Sequence, residues 1–149
     1  MSARSIVIGW DGRAKAYRPL PDSDRATALA AGLAAYEQGD FFEAHELLEP
    51  AWMGTDDLIE RAWLQGLIKV AAAYVHAVRG NPRGIARNLE GARSRLAEAA
   101  ASGTQVAIPD GSRLDLADLI AAVDLRLVEL ADHPSETPLG PPRLRRIAG

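Results

Sequence analysis

The stretch GDFFEAHELLEPAWMGTDDLIERAWLQGLIKVAAAYVH, residues 39–76, decides the fold. It reads as the end of one helix followed by two more. Gly39 suits the left-handed position just past a last helical turn. Asp40 then caps a second helix, with Glu43 as its capping-box partner. That helix runs to about Met53. Pro50 lies inside it and removes the bond from its own nitrogen to the Glu46 carbonyl, so a kink or an early end is expected there. Gly54-Thr55-Asp56-Asp57 is a turn with capping residues. The third helix, Leu58 to about Arg79, is the longest and most apolar. Ala62, Trp63, Leu67, Val70, Ala71, Tyr74 and Val78 cover a broad face, and small residues fill much of the rest. A helix apolar on most sides is a central one.

Upstream, Asp22 or Ser23 caps a first helix reaching about Gln38, with Ala26, Leu29, Ala30, Leu33 and Tyr36 or Glu37 at buried-face spacing. Pro19 and Pro21 block helix before it. Residues 1–21 therefore read as an extended N-terminal arm. Ser5 to Trp10 is a lone extended segment without a partner strand, expected to lay Ile6, Ile8 or Trp10 on the helical body. Downstream, Gly80-Asn81 ends the third helix and Pro82 opens a fourth. The fourth reaches about Ala101, with Ile85, Leu89, Ala92 and Leu96 inward and Arg83, Arg87, Arg93 and Arg95 mostly outward. Ser102 to Arg113 reads as a loop. Asp115 caps a fifth helix, Leu116 to about Leu130. The remainder, residues 132–149, is proline-rich without periodicity and reads as a flexible C-terminal tail.

The chain thus predicts an all-α fold: about five helices in a right-handed array of antiparallel helical hairpins, in a single domain over residues 22–131. The first hairpin resembles a tetratricopeptide unit at Gly32, Gly39, Asp40, Phe41, Ala44, Leu48 and Ala51. Placing Gly39 on Gly80 gives a weaker second copy, with Asn81, Ile85, Leu89 and Ala92 falling on Asp40, Ala44, Leu48 and Ala51. This offset exceeds the tetratricopeptide period, so the likeness is one of architecture.

A sharper resemblance covers about Ala26 to Leu96. GDFFEAHELLEPAW (Gly39 to Trp52) and RAWLQGLIKVAAAYVHAVRGNPRGIARNL (Arg61 to Leu89) resemble the domain-of-unknown-function family 309. The resemblance implies a small all-helical domain and implies no assigned reaction.

Composition narrows the function classes. At 149 residues the chain can bury a real core. A net charge of -3 argues against a general nucleic-acid binder. The absence of cysteine excludes disulfides, thiolate metal sites and a cysteine nucleophile. No apolar run is long enough to cross a bilayer, and the start lacks the apolar core of a signal peptide. A soluble cytoplasmic protein that binds neither membrane nor nucleic acid is expected.

The polar residues that could carry chemistry are few. His45 and Glu49 stand one turn apart on one face, with Glu46 beside them. The zinc-protease pattern needs a second histidine where Glu49 stands, so a metal would need a distant third ligand. The plainer reading is a histidine–carboxylate contact that pins a helix interface. Counting symmetrically about the turn puts His45 level with Gln65 to Lys69. His76 then falls on the order of 15 Å away along the axis and reads as a packing residue. The candidate cluster is His45, Glu49 and Gln65, flanked by Glu46 and Lys69, with no metal and no cofactor expected. Trp52 and Trp63 read as core. Arg143, Arg145 and Arg146 make a small basic end, read as solubilising rather than as a contact for an acidic partner. There is no nucleophile elbow, phosphate loop or dinucleotide fingerprint, and GWDGR (Gly9 to Arg13) is too short to count. Two readings follow: a non-enzymatic interaction module for a protein or peptide, or a small metal-binding protein or hydrolase using His45, Glu46 and Glu49.

Overall fold

Four helix starts are fixed by side chains that the sequence supplies at the right places. The computed structural model describes residues 6–8, 14–133 and 140–148, with side chains from Tyr17 onward. Helix α1 spans Asp22–Glu37, α2 Phe41–Met53, α3 Leu58–Val78, α4 Pro82–Ala100 and α5 Leu116–Asp132. Asp40, Asp57, Asn81 and Asp115 each accept a hydrogen bond from the backbone N–H three residues on, at 2.9–3.2 Å, satisfying a donor the helix cannot. The start of α1 differs from expectation. Its N-cap is Pro21, with no side-chain cap. Helix α2 continues through Pro50 and ends at Met53, because only one ladder bond is lost so close to the end.

Helix α3 is the central element. It packs on α2 and on α4, while α1 covers α2 and α5 covers α4. Twelve of its 21 residues are buried, including Trp63, Leu64, Leu67, Ile68, Val70 and Tyr74. Among the described residues, five helices with only short strands make the fold predominantly all-α.

The turns after α1 and α3 close alike. Gly39 and Gly80 take φ of +83° and +65°, a region that penalises any residue with a Cβ. The Asp40 N–H donates to the Ala35 carbonyl, and the Asn81 N–H to the His76 carbonyl, at 2.9 and 3.0 Å. Each hairpin then crosses at a glycine. A Cβ on Gly32 would stand 2.6 Å from Leu48 Cγ, and one on Gly66 would stand 2.7 Å from Leu96 Cγ. The leucine that matches Leu48 at the crossing is therefore Leu96, and not Leu89 as the sequence shift suggests. Both arms of the second hairpin extend two helical turns further before they cross.

Segments outside the helices depart most from expectation. Strand β1 (Ile6–Ile8) has a partner, β2 (Ala14–Ala16), in antiparallel register. Ala14-Lys15-Ala16 carries little strand propensity, which hid it. How Ile6, Ile8 and Trp10 pack lies outside the described side chains. The Arg18 and Leu20 N–H groups donate to the Met53 and Gly54 carbonyls at 3.1 Å, capping the open end of α2. The expected loop after α4 contains β3 (Gln105–Ala107) and runs into β4 (Arg113–Asp115), which pair antiparallel. The expected tail is docked where it is described: β5 (Arg146–Ile147) adds to the other edge of β4. Strands of two or three residues are too short to show an alternating pattern. None of the described helices is long and apolar enough to cross a membrane.

Candidate functional site

His45 is buried on α2, its side chain only 6% exposed. Its Nδ1 lies 3.2 Å from Glu46 Oε1, and its Nε2 lies 3.5 Å from Glu49 Oε2. An ionised carboxylate can only accept, so Nδ1 carries a proton toward Glu46. The i, i+4 spacing that placed Glu49 under His45 is a property of the helix alone.

The other expected members each have further neighbours. Gln65 is buried, and it lines a cleft with Trp52, Leu58, Arg61, Ala62, Arg95 and Glu98. Lys69 runs along α4, its stem against Gly91. Burial, and then the Arg95 guanidinium, hold its ammonium below the usual lysine range. His45 shares a cavity of about 30 Å³ with Phe42, Ala72, Val75, His76 and Arg79, room for about one water. His76, placed far from His45 by counting, is thus its neighbour. Counting levels outward from the α2–α3 turn does not anticipate this shared cavity.

His76 also has a local task. Asn81 Nδ2 donates to its Nδ1 at 3.2 Å, while Asn81 Oδ1 accepts from Gly84 N at 3.1 Å. The ring lies where a Cβ on Gly84 would sit, 2.6 Å from its Cγ. His76 therefore locks the α3–α4 turn, in keeping with a packing residue. Among the described residues no three His, Asp or Glu side chains converge as a metal site.

Two features escaped the sequence. The first is a cleft of about 400 Å³ between α1, the start of α3 and the β3–β4 turn. Leu29, Ala51, Trp63 and Leu64 line it, with Asp22, Arg25 and Glu60 also in its wall. Arg25 donates to the Leu20 carbonyl at 2.6 Å, to Asp22 at 2.5 Å and to Glu60 at 3.3 Å. The second is an aromatic cluster under the docked C-terminal segment. Tyr36 meets Phe41 edge-on at 5.4 Å, and Phe41 meets Tyr74 at 5.6 Å. Burial raises the Tyr36 and Tyr74 phenols above the usual tyrosine range. The Tyr36 hydroxyl donates to the Pro142 carbonyl at 2.7 Å across 106 residues of chain. No spacing rule relates residues so far apart.

Comparison with known families bears on this arrangement. Residues 29–88 match the family described as Domain of unknown function (DUF309). The chain carries a DUF309 domain. The DUF309 match runs from within α1 to within α4, so it holds His45, Glu46, Glu49, Gln65, Lys69 and His76. It ends before Leu96, α5 and the docked C-terminal segment. No curated protein and no solved structure matches the chain.

Proposed function

We propose that this protein is a non-enzymatic interaction module, a right-handed stack of two tetratricopeptide-like hairpin repeats that presents a surface to a protein or peptide partner in the cytoplasm. The observation that carries it is the matched pair of crossings, Gly32 on Leu48 and Gly66 on Leu96. Hairpins that cross the same way stack in one direction and bury a continuous core between them. Their flanks then stay open, as in the cleft where an apolar floor holding Trp63 meets charged Arg25, Asp22 and Glu60. An apolar centre with a polar rim is the anatomy of a docking surface. The test is quantitative capture from an extract of the host, using the full chain and the variant Ala26→Arg, which fills the cleft from its wall. Proteins held by the wild type and lost from a variant of unchanged melting temperature support the module. Identical retention by both proteins, or none above a blank support, counts against it.

A second reading uses His45, Glu46 and Glu49 as a metal-binding or hydrolytic group. The specific observation in its favour is a buried imidazole held within 3.5 Å of two carboxylates. The module reading expects His45→Ala to cost about 1–3 kcal/mol by removing a buried imidazole and its contacts to Glu46 and Glu49, His45→Gln to recover part of that, and zinc or manganese to leave the melting temperature unchanged. The metal reading expects a metal-dependent rise in wild type, by mass action on the folded state. That rise would vanish in His45→Ala and would not return in His45→Gln. Melting curves with metal and with chelator decide between them.

A further inference from the structure

The C-terminal segment, residues 140–148, is held in the way a domain holds a peptide. Its contacts are mostly main-chain carbonyls and arginines. Arg126 Nε donates to the Gly140 carbonyl at 2.9 Å, Tyr36 to that of Pro142 at 2.7 Å, and the Asp115 N–H to that of Arg145 at 3.0 Å. Pro142 is buried, and a proline brings no N–H that would need a partner there. β5 lies along the open edge of β4 with Arg113 opposite Ile147 and Leu114 opposite Arg146. Arg146 bonds both Glu37, on α1, and Asp110, the latter at 2.9 Å. Arg145 stands 4.0 Å from Asp118. The Asp110 carboxyl is held below the usual range by its hydrogen bonds from Ser112 and then by Arg146.

These are the marks of strand addition combined with proline and arginine recognition. Carbonyl readers do not depend on side-chain identity, so they fix an extended backbone of any sequence. Selectivity comes from the proline seat and from the acids: Asp118 for the first arginine, Glu37 and Asp110 for the second. A bound segment with other side chains at these points would leave the acids facing one another without a cation.

We propose that the groove formed by Tyr36, Glu37, Asp110, β4, Asp118 and Arg126 is a binding site for extended, proline-containing peptides with paired arginines, and that residues 140–148 are its resident competitor. The proposal names a ligand class for the interaction module and rests on that reading. The covalent connection after α5 is short, which holds the competitor at an effective concentration on the order of millimolar. A partner displaces it only when it is abundant, tight-binding or anchored at a second place on the module, so the segment sets a threshold for engagement.

The test uses the full chain and a fluorescent peptide copying residues 140–147, GPPRLRRI. Arg146→Glu in the protein removes two ion pairs and faces two acids with a third, which releases the segment while leaving the groove intact. It should bind the peptide about tenfold more tightly than wild type does. A peptide with both of its last arginines replaced by glutamate should not bind. A lock guards against trivial unfolding. Arg113→Cys with Ile147→Cys places thiols at paired positions of β4 and β5, where Cα spacing suits a disulfide, in a chain with no other cysteine. The oxidised lock should lose peptide binding, and reductant should restore it. Equal binding to the oxidised and reduced lock would place the peptide elsewhere and overturn the proposal. So would no gain in Arg146→Glu, or exchange of the segment between two copies seen as a concentration-dependent dimer. If peptide binding fails while Ala26→Arg still loses captured proteins, the groove proposal falls and the module reading stands. If peptide binding holds and Ala26→Arg loses nothing, the groove proposal stands and the cleft beside Arg25 falls as a docking face.

Discussion

Trp63→Ala loses about 3–5 kcal/mol of stability in chemical denaturation, the range for a large aromatic removed from a packed interior. Trp63 is 5% exposed, one helical turn from Leu67 on the central helix. It forms part of the wall of the cleft beside Arg25, with Leu29, Ala51 and Leu64 around it. Two effects add in the variant. The apolar surface of the ring no longer leaves water on folding. The hole it leaves is bounded by α3, α1 and α2, all backbone-rigid, so it closes only in part. A loss below about 1 kcal/mol would mean that the indole stands in solvent and lines the cleft without supporting the core. Near-wild-type denaturant sensitivity is expected beside the shift in midpoint, because the area exposed on unfolding changes little.

Gly66→Val comes next in size, at roughly 3 kcal/mol, the upper end of what overpacking a sealed interface costs. A Cβ at this position would lie 2.7 Å from both Cγ and Cδ2 of Leu96 and 3.4 Å from its backbone nitrogen. Leu96 is fully buried, so it cannot swing aside, and α3 and α4 must separate. Combining Gly66→Val with Leu96→Ala should therefore cost less than the sum of the single changes, by a coupling of about 0.5–3 kcal/mol. Gly91→Ala supplies the contrast. Its Cβ would meet only the Lys69 side chain, at 3.0 Å, and a flexible stem gives way. The helix preference of alanine over glycine, up to about 1 kcal/mol, should leave that variant at or above wild type. Strict additivity of Gly66→Val and Leu96→Ala would show that the two helices do not touch at this point.

What the sequence discloses and what it conceals divide along a physical line. Local signals carry the helices. Gly39 and Gly80 need positive φ, Asp40, Asp57 and Asn81 need a backbone donor three residues on, and the apolar breadth of Leu58 to Tyr74 needs burial on two sides. Each is settled within a few residues, so each is legible. The His45–Glu49 contact is legible for the same reason, since one helix sets both residues. Placing Gln65 and Lys69 beside His45 needs a count of levels between two helices, which depends on how each helix leaves the turn and how the pair crosses. That count does not anticipate the cavity that His45 shares with His76. The strands and the docked segment depend on partners far along the chain, Arg113 with Ile147 and Tyr36 with Pro142, and no local pattern announces them.

The Tyr36–Pro142 hydrogen bond has a consequence for how the molecule breathes. In a linear stack of hairpins each end is held by a single neighbour, and amide hydrogens of the outermost helix exchange early, through fraying that never reaches the middle. Here the first helix is clasped by nearly the last residues of the chain, through the Tyr36 hydroxyl and through Glu37 with Arg146. Opening α1 means surrendering that clasp, and surrendering it uncovers the edge of β4 beside α5. The two ends of the stack therefore open as one event rather than two. Occupation of the groove from outside would leave α1 covered but untied from its own C-terminus, so its slow amides would report the identity of the occupant as well as its presence.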